Sequence, residues 1–228
     1  MNHGFSISSA ISQSWKLMKT HYRFLIPAVI LSGVITGIMQ LLSTKTEHMV
    51  IASLIVTVIS IIVSLALTVG WTNVILKLIR GTSQEWQDFK IHPKIWGKVL
   101  LGQMIIIIPI VIIAIAIFML VFFSQNLILF YLGIIIVIIA LIYTLVKFMF
   151  LTTVAIDYQE LGIINLLKKA GKMTKGQFLD LLGFVIIITL INIGGIFFLF
   201  VGLLITIPLT TIAKIVVYEK INSKTVSE

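Results

Sequence analysis

The stretch VLLGQMIIIIPIVIIAIAIFMLVFF (residues 99–123), followed by SQN (124–126) and LILFYLGIIIVIIALIYTLVKFMFLTTVAI (127–156), decides the fold class. Two long apolar runs stand back to back with a short polar break between them. A helix rises about 1.5 Å per residue, so about 20 apolar residues cross the roughly 30 Å hydrocarbon core of a bilayer. Both runs reach that length, and neither carries a charge before Lys147. Ser124-Gln125-Asn126 leaves room only for a tight hairpin.

Working outward, further apolar stretches run over 24–42 and 49–79, with a polar loop at 80–94 after the second. The last apolar region, 178–218, is too long for one crossing and must turn. Glycine frees the chain from helical geometry, which points to Gly194-Gly195 or Gly202. A turn nearer Gly202 gives more even halves, with Gly194-Gly195 as a packing or bending site and Pro208 as a kink inside the last helix. The expectation is an all-α polytopic membrane helix bundle, a single integral membrane domain over 1–228. It has six transmembrane helices arranged as three hairpins.

Composition agrees. Hydrophobic residues make up 59% of the chain and charged residues 11%, against about 25% charged in soluble domains. The charges are also sorted. Of the 17 Lys and Arg residues, all but Lys45 fall before the first span, in or flanking the second-to-third and fourth-to-fifth connections, or at the C-terminal end. The positive-inside rule then places both termini in the cytoplasm and accounts for the net charge of +9. A nucleic-acid partner would require a basic soluble domain, for which the chain has no segment. Cysteine is absent, which excludes disulfides and thiolate chemistry. His3, His21, His48 and His92 lack ligand spacing, so no metal or other cofactor is expected. No cleavable signal peptide is expected in the first twenty or so residues.

Two cytoplasmic segments read as amphipathic helices at the membrane surface. In 1–23, Ile7, Ala10, Ile11, Ser14, Trp15, Leu17 and Met18 share one arc, opposite Ser8, Ser9, Ser12, Gln13, Lys16 and Lys19. In 159–177, Ile163, Ile164, Leu166, Leu167, Ala170 and Met173 oppose Asn165, Lys168, Lys169, Lys172 and Lys175. Such helices suit the interface, with their lysines toward anionic headgroups. Residues 83–90 form a shorter candidate. The junctions around Lys19–Leu25, Lys94–Leu100 and Lys175–Leu181 resemble one another, which fits a threefold repeat of interfacial helix plus hairpin. It also fits the basic and aromatic residues that any inward span start selects.

Polar residues at membrane depth are functional candidates. They are Asn73, Gln103 and Asn192, with Lys147 and Lys214 close enough to the cytoplasmic ends to snorkel. Ser53, Thr57, Ser60, Ser64, Thr68 and Thr72 form one stripe along the second span. A polar pathway has this pattern, and so does close helix packing, the commoner role.

No acidic residue lies mid-span, which argues against a proton- or sodium-coupled carrier. No paired intramembrane Asp, HExxH, Ser/His pair or Walker loop occurs, so no catalytic residue is assigned.

One family resemblance exists. It is carried by Val154-Ala155-Ile156-Asp157, Leu167-Lys168-Lys169-Ala170 to Lys175-Gly176, residues 202–208 (GLLITIP) and Tyr218, and less closely by Ser14-Trp15-Lys16 and Arg80-Gly81. The last third resembles the membrane domain fused to some bacterial glycerophosphoryl diester phosphodiesterases, and standalone six-span proteins of that superfamily. The resemblance implies six spans and no activity, since the phosphodiesterase chemistry belongs to a separate soluble domain. The functional expectation is a non-enzymatic protein of the bacterial cytoplasmic membrane with a scaffold, accessory or self-protection role. The alternative is a channel or transporter subunit for a small or amphipathic solute, and a third is an enzyme acting on lipid. The bilayer and its anionic headgroups are expected partners, together with a protein partner or a second copy.

Overall fold

In the computed structural model, the described residues are 5–46, 48–82, 86–90, 92–198 and 201–226, and no strand occurs among them. The helices are α1 (Ile7–Thr46), α2 (Val50–Ile79), α3 (Pro93–Ser124), α4 (Leu127–Lys147), α5 (Leu151–Asp157), α6 (Ile163–Met173), α7 (Phe178–Phe197) and α8 (Leu203–Val226), with a 3-10 turn at Trp86–Phe89. Among the described residues, 5 helical segments are long and apolar enough to cross a membrane: α1, α2, α3, Leu127–Asp157 and α7. Their side chains point outward as lipid requires. In α3, nothing between Gln103 and Ser124 is buried, and Phe122 and Phe123 are 66% and 81% exposed. A contiguous apolar surface of this size has no place in water.

The chain packs as two compact units, Met1–Trp96 with Gly183–Glu228, and Gly97–Leu182. The first is built around α8. Leu209, Thr210, Ile212, Ala213, Ile215, Val216, Val217, Tyr218 and Ile221 are all buried, and α1 and α2 both pack on this helix. Lys214, Glu219 and Lys220 interrupt its apolar run, and α8 is not among the segments apolar enough to cross by composition. The polar ends of this unit are tied together. Arg80 meets Glu219 at 2.7 Å, and the Lys220 ammonium donates to Ser9 Oγ at 2.7 Å.

Three local readings are corrected within these helices. The amphipathic segment expected over 1–23 is not a separate helix. It continues without a break into the first apolar stretch as the 40-residue α1, because no glycine or proline stands between Lys19 and Phe24 to interrupt it. The helix also runs through Pro27, which has no N–H for the Arg23 carbonyl and whose ring crowds that carbonyl. Its predicted sidedness is present in part: Ala10, Ser14 and Met18 are buried and Ser8, Ser9, Ser12, Gln13, Lys16 and Lys19 are exposed, but Trp15, expected on the apolar arc, is 42% exposed.

Of the short interfacial helix expected over 83–90, the described residues Trp86–Phe89 form a 3-10 turn, and its first residues, 83–85, lie outside the described residues. Aromatic stacking fixes the turn instead, with Phe24 5.0 Å from Trp86 and Trp71 6.1 Å from Phe89 between ring centroids.

The fourth run does not continue as one helix to Ile156. It breaks at Phe148–Phe150 between α4 and α5, where Phe150 is fully buried.

In the second unit the core is Val99, Phe150, Leu151, Val154, Ala155, Ile156, Leu166, Ala170, Met173 and Leu181. The Lys98 ammonium caps the segment before α6, donating to the Gln159 carbonyl and to that of Leu161 at 3.0 Å. The α3–α4 hairpin turns at Gln125, whose φ is 48°. Asn126 then caps α4, its Oδ1 accepting from the Ile128 N–H at 2.9 Å, a standard remedy for orphan N–H groups at a helix start. Gly176, at φ +82°, supplies the left-handed turn between α6 and α7.

The final apolar region divides between Phe197 and Leu203, next to Gly202 as the even-halves reading requires; residues 199–200 of that turn lie outside the described residues. Gly195 and Gly202 bring α7 and α8 into backbone contact.

Candidate functional site

The polar residues singled out within the membrane do not converge. Asn192 on α7 and the buried Thr210 on α8 share a hydrogen bond, 3.3 Å from Nδ2 to the hydroxyl. Thr210 also donates back to the Thr206 carbonyl at 2.8 Å. Asn73 lies near the end of α2, and its Nδ2 donates to the Asp88 carbonyl at 2.8 Å, alongside the Lys77–Asp88 ion pair. Both asparagines therefore hold one element to another. Gln103 is half-buried on α3.

The stripe on α2 divides. Thr57 is exposed, and Ser60 Oγ is enclosed without a hydrogen-bond partner. Ser64 and Thr68 line a groove of about 510 Å³ with Trp71 and, from α1, Ser32, Thr36 and Gln40. The α1 half of this groove was not singled out from the sequence, although Ser32, Gly33, Thr36, Gly37 and Gln40 recur at helical spacing and could have been found that way. Most of its hydroxyls are spent on their own helices. Ser32 donates to the Ala28 carbonyl, Thr36 to Ser32 and Thr68 to Ser64, each at 2.8 Å. The groove thus offers acceptor lone pairs, the Gln40 amide, the Ser64 hydroxyl and the Trp71 indole N–H, which is enclosed without a partner.

The chain matches no protein-family model, no curated protein and no solved structure.

The basic residues do converge, in the second unit. A cavity of about 640 Å³ is lined by Lys147 at the end of α4, by Lys168 and Lys172 on α6, and by Lys175 in the following turn. Its other walls include Tyr143, Phe148, Leu167 and Phe178, with the Tyr143 and Phe178 rings 5.6 Å apart. Thr174, buried beneath, donates to the Lys147 carbonyl at 3.1 Å and to that of Gly171 at 3.2 Å. This positions the turn against α4. Lys169 does not take part. Its ammonium sits 3.7 Å over the Tyr158 ring, a cation–π contact. Lys147, a candidate at membrane depth with snorkelling as its commoner role, is brought beside α6 by tertiary packing.

Proposed function

We propose that this chain is a non-enzymatic, six-span protein of a bacterial cytoplasmic membrane, with both ends in the cytoplasm, and that it acts as a scaffold, accessory or self-protection component. It would belong beside the standalone six-span proteins that its last third resembles. Its partners in this reading are the bilayer, anionic headgroups, and a protein partner or second copy; nucleic acid has no place in it.

What carries the reading is the use made of the intramembrane polar groups: Asn192 is spent on Thr210, and three of the four groove hydroxyls, those of Ser32, Thr36 and Thr68, on their own helices. A carrier would instead keep such groups available to its solute. Placing α8 across the bilayer as the sixth span rests on the charge sorting, since Lys214, Glu219 and Lys220 then lie toward the cytoplasmic side with the other cations.

Topology is directly testable because the chain lacks cysteine. Thr46→Cys and Asn126→Cys should react with an impermeant thiol reagent applied to intact cells. Gln87→Cys and Gly171→Cys should react only after permeabilisation. External labelling at Gly171→Cys rules out the six-span arrangement.

The alternative, a channel or transporter subunit, is favoured by one observation, the polar groove between α1 and α2. Asn192→Leu weighs the two readings. Interhelical hydrogen bonds of this kind average about 0.6 kcal/mol, so packing predicts a small drop in thermal stability, with function following protein abundance. Complete loss of saturable solute flux in liposomes at unchanged stability, especially if shared by Thr68→Val, would favour transport.

A further inference from the structure

We infer that the lysine-lined cavity of the second unit is a discrete binding site for the phosphate group of an anionic lipid headgroup, whose acyl chains follow its aromatic wall.

Charge is the first argument. Lys147, Lys168, Lys172 and Lys175 surround one cavity, and no carboxylate lines it. None of the four makes an ion pair among the described residues; the Lys147 ammonium donates to the Tyr143 hydroxyl at 3.1 Å and lies 5.1 Å and 5.7 Å from the Tyr143 and Phe148 ring centroids, both walls of the same cavity. Two helix C-termini, those of α4 and α6, end beside the cavity. Each contributes about half a negative charge, which leaves the four cations well in excess. Like charges gathered without a counter-ion repel one another, and a bound anion relieves that repulsion.

Shape and polarity identify the anion. The volume is far larger than a bare phosphate needs, at roughly 30 Å³ per water-sized group. One side is cationic, and the other presents Phe148, Leu167 and Phe178. That pairing of charge with an apolar wall matches a headgroup joined to hydrocarbon. The cavity also adjoins α6, whose buried residues Leu166, Ala170 and Met173 share one face and whose lysines occupy the other, the pattern of a helix at the bilayer surface. Basic pockets at the cytoplasmic side of helical membrane proteins are suited to anionic headgroups. The site goes further than diffuse attraction, because Lys169 belongs to the same helix and the same charge run but is engaged on Tyr158.

The test uses the full chain in neutral detergent, so it does not depend on which side of the membrane α6 faces. Thermal stability is followed while phosphatidylglycerol, phosphatidylcholine or inorganic phosphate is titrated in. Phosphatidylglycerol should stabilise saturably, less so as salt rises, and phosphatidylcholine should not. Lys168→Gln and Lys172→Gln should each weaken the apparent affinity about fivefold, whereas Lys172→Arg should retain it. Lys169→Gln and Lys94→Gln remove the same charge elsewhere and should change it less than about twofold. Both pocket lysines are exposed, so their loss should leave the fold intact. Equal weakening by Lys94→Gln would overturn the discrete site in favour of diffuse surface charge. Saturable binding of inorganic phosphate without any response to phosphatidylglycerol would overturn the lipid assignment.

Discussion

Gly202→Ala should destabilise the protein by about 3 kcal/mol, near the upper end for overpacking a tight contact. A Cβ at this position would lie 2.5 Å from the Gly195 carbonyl oxygen, 2.8 Å from its Cα and 3.0 Å from its carbonyl carbon. These are backbone atoms, which cannot rotate away as a side chain can. The α7–α8 hairpin would have to open, and with it the Asn192–Thr210 bond. Gly195→Ala should be milder, because its closest contact is with a side chain, Thr206 Oγ1 at 2.5 Å and Cγ2 at 3.1 Å, and the one backbone atom it meets, the Gly202 carbonyl carbon, is 3.2 Å away. Gly33→Ala and Gly37→Ala provide the contrast. Neither added Cβ meets anything within 4 Å, and alanine is the better helix former by up to about 1 kcal/mol. They should be neutral or slightly stabilising. Unfolding in mixed detergent micelles measures all four. A loss at Gly33→Ala as large as at Gly202→Ala would mean that the α1 groove is closed by a contact absent from this packing.

The sequence made the helical membrane architecture legible for a simple reason. Hydrocarbon demands long uncharged runs, and Ser124-Gln125-Asn126 between two such runs leaves no reading except a hairpin. The turn near Gly202 was legible on the same grounds of length, together with the glycine that makes the close approach sterically open. The break at Phe148–Phe150 was not, because no glycine or proline marks it; the burial of Phe150 is a tertiary effect. The continuous α1 was misread for the opposite reason. A change from amphipathic to uniformly apolar composition marks where the environment changes, and a helix can pass through that change without a break.

Site residues follow the same division. The stripe on α2 was visible because its spacing is regular within one segment, yet the structure assembles only Ser64 and Thr68 of it with α1. The lysines of 159–177 were visible as one polar face, but their sorting was not. Lys169 turns to Tyr158, and Lys147 joins from a helix that precedes α6 by many residues. Periodicity reports which side of a helix a residue occupies. Which neighbour meets that side is decided by packing between segments, and that left no local trace.

Phe150→Ala should cost about 3–5 kcal/mol, the range for removing a large buried aromatic ring. Phe150 is 0% exposed and stands at the break between α4 and α5, so the cavity it leaves is closed to lipid. The same truncation at Phe123, 81% exposed on α3, should cost less than about 0.5 kcal/mol, as surface substitutions do. Lipid or detergent can occupy the space a lipid-facing ring leaves. Phe150→Ala carries a second consequence. Lys147 and Phe148 line the basic cavity immediately before it, so the saturable response to phosphatidylglycerol should fall together with stability, and Phe150→Leu should preserve most of both. The measurement also bears on the scaffold reading. If Phe123→Ala in the purified protein costs as much as Phe150→Ala, then protein rather than lipid covers that face of α3, and a second copy of the chain becomes the first partner to seek. A small effect at Phe123 with a large one at Phe150 leaves the α3 face to the bilayer and places any scaffold contact elsewhere on the chain.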